Sequence, residues 1–140
     1  MIPAGRDAID SAGAAAILGM RPQTFRNKHI ARREGFPQPL NPGARKPLYD
    51  RAQIEAYRDG RQLPTWPIGR RHPDDLLDGP EAADELDIRY ATLRHYLHEE
   101  RLPVVDVCGV PHVRRGDLEA RRDNPGKPGR PARADDRMDP

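Results

Sequence analysis

The chain has 140 residues, of which 36% are hydrophobic, 33% are charged and 16 are proline, so it can build only small cores and must spend much of its length on connectors and tail. The single cysteine, Cys108, excludes an internal disulfide framework, and no apolar run nears the roughly 20 residues that span a bilayer. A net charge of +2 is, taken whole, a weak sign of a nucleic-acid partner.

The placement of that charge says more. Residues 1–66 hold 11 Lys and Arg against 6 Asp and Glu (+5), 67–122 hold 9 against 12 (−3), and 123–140 hold 4 against 4. The front half is therefore the basic half. Arginine outnumbers lysine 21 to 3, which fits the coding bias of a GC-rich genome as well as phosphate chemistry, so only position is used below. The N-terminus lacks a signal-peptide pattern, and the Ala-rich stretch 12–18 is too short and too weakly apolar for export, so a cytoplasmic location is expected.

In chain order, Asp10 or Ser11 is placed to cap a helix over 12–18. The turn Gly19-Met20-Arg21 follows, with Gly19 suited to a left-handed C-terminal position, and a second helix starts at Pro22 and runs to about 31. Two short helices across such a turn make a helix-turn-helix. Phe36-Pro37-Gln38-Pro39-Leu40 and Pro47-Leu48-Tyr49 read as extended segments around the turn Asn41-Pro42-Gly43-Ala44, the pattern of a wing. A closing helix over 51–61 would pack Ile54 and Tyr57 back on the unit. The stretch 63–74, with Pro64, Pro67 and Pro73, predicts an extended, semi-rigid connector in which Trp66, the sole tryptophan, covers apolar surface.

The next elements repeat the first. Residues 82–94 lie over 14–26 without a gap at an offset of 68, with Ala14/Ala82, Ala15/Ala83, Leu18/Leu86, Arg21/Arg89, Thr24/Thr92 and Arg26/Arg94 identical and Met20/Ile88 and Phe25/Leu93 apolar. Asp10 meets Asp78 at the same offset. Glu34-Gly35-Phe36-Pro37 meets Glu100-Arg101-Leu102-Pro103 at 66, and 49–56 meets 113–120 at 64, so the missing residues fall where a loop absorbs them. Asp78 caps a helix opening at Gly79-Pro80-Glu81 and ending near Leu86. Asp87-Ile88-Arg89 is the turn, and a helix over 90–100 carries Leu93, Tyr96 and Leu97 on one face. The chain thus divides into units at 1–62 and 75–122, a linker at 63–74 and a tail at 123–140. The tail has no apolar periodicity and is expected to be disordered; its Lys127-Pro128-Gly129-Arg130-Pro131 is a single incomplete match to a minor-groove Gly-Arg-Pro core.

The string Ala14-Ala15-x-x-Leu18-Gly19-Met20-x-x-x-Thr24-Phe25-Arg26, then Gly35-Phe36-Pro37-x-Pro39, then Leu48-Tyr49-Asp50 leading into Gln53-Ile54, resembles the winged helix-turn-helix of the MerR superfamily, above all its small excisionase-like and AlpA-like members. The resemblance covers 7–61 well and 75–121 in a shorter version. It implies two tandem winged helix-turn-helix domains, mainly α with small β-hairpin wings. It also implies a second helix in the major groove and a wing on adjacent backbone or minor groove. The long dimerisation helix and effector domain of full MerR regulators are missing from this pattern.

With Phe25 turned inward at 100° per residue, Gln23, Arg26 and Asn27 face outward and Thr24 lies at the edge. These side chains suit base edges: Arg pairs with guanine, and Asn or Gln with adenine. Arg21 at the helix entrance, Lys28, Arg32 and Arg33 near its end, and Arg45 and Lys46 at the wing tip suit phosphates. The second unit offers Arg89, Thr92, Arg94, His95 and His98 beside Glu99 and Glu100, with His112 and Arg114 on its wing. Its acidic balance leaves its partner open: double-stranded DNA, a protein such as an integrase, or another copy of the chain.

Competing chemistries are weaker. His95, His98, Cys108 and His112 are four potential zinc ligands, but their spacing is unlike a finger and binding would consume the reading face. The carboxylate pairs Asp74-Asp75, Asp84-Glu85 and Glu99-Glu100 come with no nucleophile, and no phosphate-binding glycine loop occurs. No enzyme activity, cofactor, metal or membrane partner is expected. The expected function is sequence-specific duplex binding in transcriptional regulation, or alternatively an architectural role in recombination or plasmid partition.

Overall fold

The computed structural model describes residues 1–67, 69–99 and 101–123. Strand β1 (Ala8–Asp10) leads directly into helix α1 (Ser11–Ile17), whose N-cap Asp10 accepts from the Gly13 N–H at 2.9 Å. After a turn with Gly19 at φ 76°, helix α2 covers only Pro22–Asn27. Continuing it to residue 31 would set residue 30 about 140° round the helix from Phe25, away from the core. Instead His29 takes a left-handed φ of 51°, and Ile30 turns inward to open a single 3-10 turn, Ile30–Arg32. Strand β2 (Leu48–Asp50) then lies antiparallel to β1, and Asp50 caps helix α3 (Arg51–Arg58).

The second unit runs β3 (Leu76–Asp78), α4 (Gly79–Leu86), α5 (Tyr90–His98), β4 (Val105–Val107), β5 (Val110–Arg114) and α6 (Arg115–Asp123). Asp78 and Glu81 form a reciprocal capping box at the start of α4. Its sheet keeps the offsets of the sequence repeat. Ala8, Ile9 and Asp10 face Asp50, Tyr49 and Leu48, while Leu76, Leu77 and Asp78 face Arg114, Val113 and His112. The Arg51 N–H bonds the Asp7 carbonyl and the Arg115 N–H bonds the Asp75 carbonyl, each at 2.8 Å. The two cores are also equivalent: Ile9, Ala14, Ala15, Phe25, Phe36, Tyr49 and Ile54 correspond to Leu77, Ala82, Ala83, Leu93, Leu102, Val113 and Leu118. Three aromatic contacts around Phe36, to Phe25, Tyr49 and Tyr57, fill in the first unit the space that aliphatic side chains fill in the second.

Among the described residues this makes six helices and two small antiparallel sheets, a mixed α and β architecture, with no helix long and apolar enough to cross a membrane. The strands are more than wings, because β1 and β3 tie the entry of each unit to its far end. Three-residue strands are too short to display an alternation, so β1 and β3 leave no signature in the sequence, whereas Leu48 and Tyr49 of β2 lie in a segment read as extended.

The wings differ. Residues 105–114 form a regular hairpin whose two turn residues, Cys108 and Gly109, have φ of 54° and 83°, the backbone twist that suits a two-residue hairpin. Residues 36–47 contain no strand, contrary to the expected hairpin there. Pro37, Pro39, Pro42 and Pro47 have no N–H to donate to a ladder. The loop is closed by a bond from the Leu40 N–H to the Leu48 carbonyl and by buried Asn41, whose side chain bonds the Leu48 N–H and the Lys46 carbonyl.

The units are braced as well as tethered. Ile2, 3% exposed, adds an antiparallel bridge to the free edge of β3 through two 2.8 Å bonds with Leu76, and the Ala4 N–H bonds Asp75. The hairpin turn reaches the first unit, with the Cys108 carbonyl accepting from Lys46 and its thiol approaching the Ala8 carbonyl at 3.9 Å. The linker packs too: the Gln53 side chain bonds the Pro64 carbonyl, and Arg6 stands 4.9 Å over the Trp66 ring. Replacing Ile2 with alanine is expected to cost about 2–5 kcal/mol, read as a lower urea midpoint; an unchanged midpoint would mean the arm carries no load. Of the tail expected at 123–140, Asp123 instead closes α6, and 124–140 lie outside the described residues.

Candidate nucleic-acid interface

The face begins with the way α2 is held. Pro22 occupies its first position, where no N–H is needed, and Phe25 is clamped against Phe36 at 5.8 Å. That fixes the rotation of the helix, leaving Gln23, Arg26 and Asn27 exposed and Thr24 half-buried. Arg21 stands at the N-cap, Lys28 at the C-cap, Arg32 in the 3-10 turn and Arg33 just beyond it. The early end of α2 takes Lys28, Arg32 and Arg33 off the helix proper but keeps all three exposed. Arg26, Arg32 and Lys46 are brought to one cleft of about 450 Å³, bounded by the first turn of α1, by α2 and by the approach to β2. Inside it, burial raises the Tyr49 hydroxyl above its ordinary pKa, and a hydrogen bond with Ser11 acts in the opposite direction.

The cations of the first unit fall into two sets. Arg6, Arg51, Arg58 and Arg61 are matched by Asp50, Asp7 and Asp59. Arg21, Arg26, Lys28, Arg32, Arg33 and Arg45 are exposed, and among the described residues none forms an ion pair. Lys46 sits between the sets, holding the Cys108 carbonyl and lying 3.9 Å from Asp10. Of the six unmatched cations, Arg26 and Arg32 line the cleft, whose low-dielectric walls strengthen their positive field.

In the second unit three of the candidate groups have a partner, although all three side chains are exposed. Arg114 pairs with Asp74, His95 lies 2.8 Å from Glu99, and Arg94 stands 5.8 Å over the Tyr90 ring. Arg89 remains exposed at the N-cap of α5, and Thr92 is half-buried. His112, read from sequence as a wing residue, is 1% exposed in the central strand and hydrogen-bonds the Val110 carbonyl, so it is withdrawn from the surface. The possible zinc quartet is not assembled, since among the described residues no three His, Cys, Asp or Glu could hold a metal. Burial pushes the Cys108 thiol up, which keeps it protonated.

One cluster escaped the sequence reading altogether. Asp75, 2% exposed, accepts from the N–H groups of Ala4 and His72 and from Arg115, which is 6% exposed and reaches on to Glu85 at 3.0 Å. Burial works to raise both carboxyls, yet the backbone donors and Arg115 hold Asp75, and Arg71 and Arg115 hold Glu85, below the usual carboxylate range. The signal was available, because Asp7/Asp75 and Arg51/Arg115 match at the repeat offsets and Arg51 pairs with Asp7 at 2.6 Å. Comparisons of the chain with known protein families, with characterised proteins and with solved structures give no match.

Proposed function

We propose that the chain is a sequence-specific double-stranded DNA-binding protein, not an enzyme, whose first unit is a winged helix-turn-helix that reads the major groove through α2. The observation that carries this reading is the set of exposed cations on and just after α2, Arg21, Arg26, Lys28, Arg32 and Arg33, which have no carboxylate partner among the described residues, beside exposed Gln23 and Asn27. Arg26, Asn27 and Gln23 address base edges, and Arg21, Lys28, Arg32, Arg33 and Arg45 address phosphates. The resemblance to excisionase-like members of the MerR superfamily, in two tandem copies, supports the same assignment, and transcriptional regulation at the nucleoid is the first use it suggests.

Bracing by Ile2 and by the Cys108 turn favours a second use, as an architectural factor in recombination or partition that presents its acidic unit to a protein partner such as an integrase or another copy. Two heads joined by such contacts tolerate a narrower range of spacings than heads on a flexible tether. Footprinting on genomic fragments tests both uses. A protected promoter supports regulation, phased repeats beside a recombination or partition locus support the architectural role, and no sequence preference at physiological salt overturns both. With five phosphate-directed cations, the logarithm of affinity is expected to fall against the logarithm of salt with a slope of about −4, and a flat dependence would contradict the phosphate assignment.

A further inference from the structure

The two units differ in what lies between the first turn of their leading helix and the first turn of the next. In the second unit, Tyr90 lays its ring so close to the Gly79 backbone that a Cβ there would collide with it, and Arg94 covers the same ring. At an offset of 68 these three residues are Pro22, Ser11 and Arg26. The first unit therefore lacks the ring, and Pro22, Ser11 and Arg26 line an open cleft of about 450 Å³, within the size range of small-ligand pockets. Phe25, Ala12 and Pro47 give its lining apolar surface, and Arg26, Arg32 and Lys46 outnumber its one carboxylate, Asp10, which lies 3.9 Å from Lys46.

We propose that this cleft seats one unstacked base of a bound DNA strand, with the attached phosphate on Arg32. The inference rests on the DNA-binding reading above. In the second unit the chain itself sets an aromatic ring between the backbone of a helix's first turn and a guanidinium, and bases stack in the same way because each has a π face. A bare phosphate has no use for the apolar wall, and an uncharged aromatic side chain has no use for the rim. Ser11 in place of Gly79 would hold a seated ring farther from the backbone than Tyr90 sits, because a Cβ there meets the position of the Tyr90 ring. Unstacking is cheapest in a mismatch, a bulge or a single strand, so the cleft adds a preference for distorted or unpaired DNA to whatever α2 reads.

The test uses the full chain with three probes: a hexathymidylate, the same hexamer without bases, and the footprinted duplex. The hexathymidylate should shift the NMR signals of Ala12, Phe25 and Tyr49 and bind about 10-fold more tightly than the abasic chain. Ser11→Gly combined with Pro22→Tyr installs the second unit's ring and should erase that margin, though the ring would also engage Arg26 and weaken the duplex footprint. Ala31→Trp, which blocks the cleft from another wall and leaves Arg26 free, should erase the margin while the duplex footprint persists. Equal affinity for the two hexamers, or a margin that survives both blocking variants, overturns the proposal. Displacement of the hexathymidylate by an acidic tyrosine-containing peptide that binds more tightly also overturns it, and makes the cleft a protein socket. A duplex footprint without a hexamer margin sinks the cleft alone, whereas the absence of any duplex footprint sinks the wider reading.

Discussion

Replacing Arg26 and Asn27 together with alanine is expected to lower affinity for the footprinted sequence at least 30-fold while leaving weak, salt-sensitive binding to any duplex. Each good side-chain pair with a base edge discriminates by about 1–3 kcal/mol, and both residues lie on the exposed face of a helix whose rotation is fixed by Phe25. Lys28, Arg32, Arg33 and Arg45 remain in the variant, so the nonspecific component persists. The control is Arg94→Ala at the equivalent place in the second unit, where the side chain is occupied by Tyr90 and little change is expected. Fluorescence anisotropy at one fixed salt concentration measures both. If the double variant protects the same sequence as the native chain, the reading face is elsewhere.

The largest effect on stability is expected from Arg115→Met. It removes the only side-chain cation on Asp75 among the described residues and one of three on Glu85, leaving buried carboxylate charge uncompensated. Breaking a buried pair from one side costs about 3–5 kcal/mol. The equivalent Arg51→Met breaks an exposed pair and should cost less than about 1 kcal/mol, so the two variants of one repeat position separate burial from residue type. Acid sharpens the contrast. In the native chain the carboxyls of Asp75 and Glu85 lie below their ordinary values, so their contribution is complete above the usual carboxylate range and is lost as pH falls through the lowered values. Without Arg115, protonation relieves a buried charge instead, so the gap between native chain and variant should close as pH falls. Urea unfolding from neutral to acidic pH measures it, and a gap that widens would refute the assignment.

The Arg115 contrast also marks where sequence stopped being sufficient. Repeat offsets of 68 and 64 were legible because apolar identity, caps and turn residues recur in order, and the same offsets set the strand pairing. Caps at Asp10 and Asp78, the turn at Gly19 and the closing helix with Ile54 inside follow from local chemistry, each decided by bonds within a few residues. The end of α2 did not follow, since a periodic polar face continues past Asn27 and only the need to bury Ile30 breaks it. Nor did the loss of the first hairpin, although its prolines were in view; the pattern of extended segments says nothing about which N–H groups a partner strand would require.

What the sequence determined by itself is a duplicated pair of short helices with a basic first copy and an acidic second. Tertiary structure alone decided which charges are spoken for. Arg51 and Arg115 are one residue type at one repeat position, yet one lies at the surface and the other holds a buried network, because Ala4 and the linker fold over Asp75 from distant parts of the chain. Arg26 and Arg94 are likewise identical in sequence, and a ring contributed by Tyr90 occupies one while Pro22 leaves the other open. Charge type is a property of a residue, but charge availability depends on neighbours that only folding brings within 3–6 Å.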